Sequence, residues 1–198
     1  MSDESLDLHT AELDQEDAPS LDPEAQARRD AALSLVRKFG DPVLRAKALE
    51  VERFDETLRA EITRMGQIME DSFGIGLAAT QLGVLHKVLV YRVGGDAPLV
   101  ALINPEIEWQ GKEKEPSEEG CLSLPGVHVD VERPIHVRVR ACDGHGEVVV
   151  VEASGLEARV ILHEIDHLDG VLILDRAPRD QRKQAMRTLR EQQGAYTV

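Results

Sequence analysis

Apolar positions along the chain fall into two periodicities. Ala32, Leu33, Leu35 and Val36 recur at helical spacing, and the run Phe39-Gly40-Asp41-Pro42 closes that helix. Leu58, Ile62, Met65 and Met69 line one face of a second helix, which opens near Asp55, a good N-cap residue. Residues 87–93 and 99–103 read as short strands. At 135–141 the period becomes two: Val137, Val139 and Ala141 alternate with His136, Arg138 and Arg140, the pattern of a half-buried strand. Asp143-Gly144-His145-Gly146 supplies a hairpin turn into a further strand at 148–151. A third helix opens at Ser154, which has capping-box spacing with Glu157. It runs to about Leu168, with Gly170 just past its C-cap. Leu156, Val160, Ile161, Leu162, Ile165 and Leu168 make that helix apolar on nearly every side, so it belongs in the core. A last helix from Pro178 carries Arg179, Arg182, Lys183, Arg187 and Arg190. Several strands with few helices between them predict an α+β domain with mainly antiparallel sheet.

Composition changes the picture at one end. The chain has 198 residues, 42% apolar, enough for one domain with its own core. No apolar stretch is long enough to span a membrane, and two cysteines cannot make a disulfide framework. A net charge of −14 argues against sequence-specific DNA or other general nucleic-acid binding. Residues 1–27 hold nine of the acids and no Lys or Arg. That segment is too poor in apolar residues to offset its ordering entropy and is expected to be a disordered acidic tail. It lacks the features of a signal or transit peptide, so the expected compartment is a reducing cytoplasm. Residues 28–198 form the single remaining domain, including the basic helix at 178–192.

The sharpest chemical feature lies on the core helix: His163-Glu164-Ile165-Asp166-His167. Imidazoles at i and i+4 share a face and can converge on one cation, while Glu164 can reach a water there without being a ligand. Burying two His, a Glu and an Asp on an apolar helix is costly unless something satisfies them, and a metal does so. A third ligand is needed: Cys121, Cys142, another His or a carboxylate. Cys142 lies in an alternating strand and should pack as a small hydrophobe. Cys121 sits in the loop-like run Glu118-Glu119-Gly120-Cys121-Leu122-Ser123-Leu124-Pro125, with a glycine beside it for close approach. A Cys/His/His set leaves a fourth position open, the mark of a catalytic site. A further segment, Gly74-Ile75-Gly76-Leu77-Ala78-Ala79-Thr80-Gln81, pairs glycines suited to close backbone approach with a carboxamide able to stabilise an oxyanion. It lacks the ending of a phosphate loop.

Together, residues 74–81, 119–123 and 163–167 resemble, in order and spacing, the three signature motifs of the peptide deformylases, and the likeness extends from about residue 30 to 176. The resemblance implies antiparallel sheets around a central helix that bears the His-Glu-x-x-His motif, with a C-terminal helix. It implies one divalent metal held by Cys121, His163 and His167, Fe2+ physiologically, replaceable by Zn2+, Ni2+ or Co2+. The activity implied is hydrolysis of the formyl group from the N-terminal formylmethionine of new polypeptides, releasing formate. Glu164 becomes general base and acid, and Gln81 and the backbone N–H of Leu122 bind the oxyanion. Gly74, Ile75 and Gly76 hold the substrate as an added strand, with Glu119 and Arg159 in the substrate pocket. Docking on the ribosome through the basic C-terminal helix is a further expectation. Two departures stand out. Many members carry an Arg seven residues past the ligand cysteine; here that position is His128, with Arg133 nearby but out of register. Gln usually precedes the first ligand histidine; here it is Leu162. A zinc metallopeptidase shares the His-Glu-x-x-His helix but usually takes its last ligand downstream, where this chain offers only Glu191. A non-catalytic metal-binding module would have no need of Glu164 or Gln81.

Overall fold

The sheet is built around a strand that must be dry on both faces. Strand β2 (Val88–Tyr91) is buried along its whole length. Its side chains alternate between two cores: Leu89 and Tyr91 join one cluster, Val88 and Val90 another. This explains why residues 88–91 form a continuous apolar run with no period of two. The structure, a computed structural model, describes residues 22–195. Around β2 lie β1 (Gly76–Ala78), β3 (Val100–Gln110), β6 (His136–Cys142) and β7 (Val148–Ser154), in the antiparallel order β1-β2-β3-β6-β7. Strands β4 (Lys114–Cys121) and β5 (Leu124–Pro134) form a separate hairpin.

Two helices cover opposite faces of the sheet. On one, α3 (Gly155–Leu168) seats Ala158, Val160, Ile161, Leu162, Ile165 and Leu168 against Leu89, Tyr91, Leu102, Val137 and Val139. On the other, α2 (Glu56–Asp71) packs Leu58, Met65, Ile68 and Met69 on Val88, Val90 and Ile103, with Ala32 and Val36 of the N-terminal segment. Asp55 caps α2 as its side chain predicts, accepting from the N–H of Thr57 and Leu58 at 3.1 and 3.3 Å. Helix α1 (Pro23–Leu35) begins earlier than the apolar pattern suggested, because a proline in the first turn has no N–H to orphan. It takes in residues 23–27 of the acidic segment; residues 1–21 lie outside the described residues. A third core joins β5 (Leu124, Val127, Val129, Val131) to α4 (Ile173–Arg176) and α5 (Arg179–Ala195) through Ile173, Leu174, Ala185 and Leu189. The α+β architecture, with antiparallel sheets about a central His-Glu-x-x-His helix and a C-terminal helix, is thus as the sequence indicated.

Three expectations are corrected. The loop-like run around Cys121 is the tip of the β4–β5 hairpin: Cys121 pairs with Leu124, so only Leu122 and Ser123 form the turn. The strand expected at 99–103 continues to Gln110 through two register shifts. The Ser154–Glu157 capping box does not form. Gly155 has a φ of +57°, outside the helical range the box requires, and Glu157 instead accepts from the Tyr91 hydroxyl at 3.0 Å.

Candidate metal centre and cleft

Cys121 reaches the centre because the hairpin turn places it at a strand end facing α3. One donor atom from each of Cys121, His163 and His167 lies within 4.8 Å of the others. Cys121 Sγ is 3.2 Å from His167 Nε2, and the two imidazoles meet edge-on with centroids 5.0 Å apart. One thiolate and two imidazoles form a donor set suited to a borderline-soft divalent ion. Burial pushes the Cys121 thiol up, but His167 and His163 beside it more than reverse this and hold it well below the usual thiol range. Burial pulls His163 down, yet its hydrogen bonds to Cys121 and Glu119 raise it to about 10. A cation would take the place of those protons. His163 Nδ1 lies 3.0 Å from Glu119 Oε2, which leaves Nε2 to face the centre. Among the described residues Cys142 packs beside the α2 core and is not part of the cluster.

Glu164 is 4% exposed, and its Oε2 has no partner. Burial pushes its carboxyl up, opposed by the neighbouring histidines. Gly76 makes room for it: a methyl group on Gly76 would come within 2.4 Å of Glu164 Oε1 and 2.9 Å of Val160 Cγ1. Gln81 is fixed from below. Its Oε1 accepts from the Ala78 N–H at 2.9 Å, which turns Nε2 toward Ser123 Oγ at 3.2 Å, with Cys121 Sγ 3.8 Å away. The turn carrying Leu122 is pinned through its carbonyls, the Leu122 oxygen by Lys38 Nζ at 3.0 Å and the Ser123 oxygen by the Phe39 N–H at 2.9 Å.

These groups open on a cleft of about 620 Å³ lined in part by Gly74, Ile75, Gly76, Gln81, Glu119, Cys121, Leu122, His128, Arg159 and His163. Strand β1 is the edge strand of its sheet, so its outer side is available for pairing. Glu119 borders the cleft, but its carboxylate is already engaged by Arg133, Arg159 and His163. Burial would raise it, but the hydrogen bonds from Arg133 and His163 bring it down to about 2. Arg159 is likewise held, by Glu119 and by the carbonyls of Val131 and Glu115 at 2.8 and 2.7 Å. Arg133 does not reach the cleft. It is 3% exposed and bridges Glu119 (2.6 and 2.8 Å) to Asp166 (2.9 Å), which Arg176 also grips. Sequence reasoning missed this chain of charges, which ties the cysteine-bearing hairpin to the histidine-bearing helix. Its signal was the alternation Val127, Val129, Val131, Arg133, which puts the arginine on the inward face.

The chain also matches known proteins. The sequence model of the polypeptide deformylases aligns with residues 33–183. A peptide deformylase of Acidothermus cellulolyticus is 44% identical over 164 residues, 83% of this chain and 89% of the relative. One of Clostridium botulinum is 50% identical over 146 residues, covering 73% and 97% of the two chains. Among solved structures, a peptide deformylase of Synechococcus elongatus in complex with actinonin superposes with a TM-score of 0.75 at 43% identity, covering 77% of this chain and 85% of its own. That of Thermotoga maritima gives 0.70 at 47% identity, with 72% and 96% covered. With a family model spanning most of its length and relatives this similar, the chain belongs to the polypeptide deformylase family.

Proposed function

We propose that this enzyme hydrolyses the formyl group from the N-terminal formylmethionine of new polypeptides, releasing formate and a free methionine amine. The observation that carries the reading is a buried carboxylate with an unpartnered oxygen, Glu164, set beside a converging Cys/His/His donor set. Cys121, His163 and His167 would hold one divalent metal, Fe2+ in the cell and replaceable by Zn2+, Ni2+ or Co2+. A bound divalent ion supplies Lewis-acid polarisation and makes water a nucleophile near neutral pH. Glu164 holds the proton taken from the attacking water and passes it to the departing amine, a task suited to a carboxyl raised by burial. The Gln81 carboxamide and the Leu122 N–H face the oxygen on which negative charge develops. The open edge at Gly74–Gly76 takes the substrate backbone as an added strand, with the formyl end beside Glu164. His128 lines the cleft at the position where Arg was expected, and Arg133 is committed elsewhere.

The test is formate release from formyl-Met-Ala-Ala by protein purified anaerobically with Fe2+, or exchanged to Ni2+, beside Glu164→Ala. The variant should keep one metal per chain and lose at least 100-fold in kcat. Unchanged turnover would remove Glu164 from the mechanism. Full metal retention in Cys121→Ala would favour the ligand set of a metallopeptidase.

A further inference from the structure

Phe73 breaks two rules at once. Helix α2 ends in a Schellman motif: the N–H of Gly74 donates to the Met69 carbonyl and that of Phe73 to the Glu70 carbonyl, both at 2.9 Å. The residue after the cap then needs a left-handed conformation, and Phe73 supplies it with a φ of +57° where glycine is the strain-free choice. The residue is also 56% exposed, at the rim of the catalytic cleft. Neither local stability nor core packing accounts for a phenylalanine there.

Above the ring lies Arg29 of α1, its guanidinium carbon 5.6 Å from the ring centroid. Arg29 also lines the cleft, and its Nε is buried without a partner. The other cleft cations are committed, Lys38 to the Leu122 carbonyl and Arg159 to Glu119. Among the described residues no carboxylate forms an ion pair with Arg29, whereas its neighbour Arg28 has Glu24 at 4.0 Å. The remaining acid on the cleft wall without such a pair is Glu118, on β4. Arg29 is therefore a cation held in place by an aromatic face with its charge unspent.

We propose that Arg29 and Phe73 form a specificity subsite for the residue two places after the formylmethionine, selecting an acidic side chain there. The inference rests on the proposed deformylase reading. With the formyl end beside Glu164 and Gly76, the first residue of β1, a peptide laid along the segment that precedes this strand runs from Gly76 back toward Phe73. At about 3.3 Å per residue, its methionine lies near Ile75 and its third residue near Phe73. The ring packs against that residue, and the guanidinium faces its carboxylate.

Steady-state kinetics on formyl-Met-Ala-Glu, formyl-Met-Ala-Ala and formyl-Met-Ala-Lys test this. The parent enzyme should prefer Glu over Lys by about tenfold in kcat/KM at low salt, through KM, with the ratio shrinking as salt rises. Arg29→Ala should bring the ratio close to one, and Arg29→Glu should invert it. Phe73→Gly, which gives the Schellman position its favoured residue, should unfold at the same or a higher temperature yet raise KM for all three peptides. A Glu/Lys ratio unmoved by either Arg29 variant overturns the subsite, as does a Phe73→Gly enzyme with parental KM. Absence of turnover on all three peptides by the parent, by contrast, fails the deformylase reading itself and the subsite with it.

Discussion

Replacing Arg133 with leucine should be among the most damaging single changes outside Cys121, His163 and His167, although Arg133 touches neither that set nor the cleft. The side chain is 3% exposed and makes three charge-assisted hydrogen bonds, at 2.6 and 2.8 Å to Glu119 and 2.9 Å to Asp166. Deleting one partner of a buried ion pair costs about 3–5 kcal/mol, because the opposite charge stays buried. Two carboxylates are affected here, but Glu119 keeps Arg159 and His163 and Asp166 keeps Arg176, so the low end, about 3 kcal/mol, applies. For a chain of this length that corresponds to a fall of about 6–12 °C in Tm, measurable by circular dichroism on the metal-loaded protein. The acid limb should also move. The Glu119 carboxyl sits at about 2 when folded, so its contribution is fully present above the usual carboxylate range and is lost only as pH falls toward that value. Without Arg133 the folded value rises toward the unfolded one, so the contribution is smaller and its loss is complete at a higher pH. Arg133→Lys, which keeps a charge but not the fork, should fall between parent and Leu. An Arg133→Leu protein within about 0.5 kcal/mol of the parent would refute the claim that this bridge holds hairpin to helix.

Gly76→Ala should lower kcat by roughly tenfold or more while leaving metal content near one per chain, since the added methyl would meet Glu164 Oε1 at 2.4 Å rather than any ligand. Parental kcat would show that Glu164 tolerates displacement. The cations Arg182, Lys183, Arg187 and Arg190 are all exposed on α5, whereas Ala185 and Leu189 anchor it to the hairpin. Reversing those four charges should therefore keep the fold and formyl-peptide turnover but abolish salt-dependent pelleting with ribosomes; unchanged pelleting would exclude docking through this face.

The sequence exposed those parts of the molecule in which burial is one-sided or complete. Helix α2 has a clear stripe, α3 is apolar nearly all round, and β6 alternates without a break, so each was readable with its boundaries nearly right. The His/Glu/His positions followed from α3, and Cys121 followed from its glycine neighbour and the family motifs. Strand β4 was invisible for a physical reason. Its sequence, Lys-Glu-Pro-Ser-Glu-Glu-Gly-Cys, is almost wholly solvent-facing, so its pairing depends on β5 and leaves no hydrophobic period of its own. Glu119 does line the cleft, as expected of it, but nothing in the sequence signalled that its strand position also ties it to Arg133 and His163. Phe73 lies beyond any pattern argument, because a positive φ in a non-glycine residue is set by how its helix terminates.

All seven strands precede α3 in the chain, and this fixes an order of events during the protein's own synthesis. The face of the sheet formed by Leu89, Tyr91, Leu102, Val137 and Val139 has no cover until residues 155–168 have been made. Until the same moment Cys121 is a lone thiol, since both of its imidazole partners arrive on that helix. Core closure and completion of the Cys/His/His set are therefore one late step: a chain interrupted before His167 carries both an uncovered apolar sheet, prone to aggregate, and an incomplete donor set.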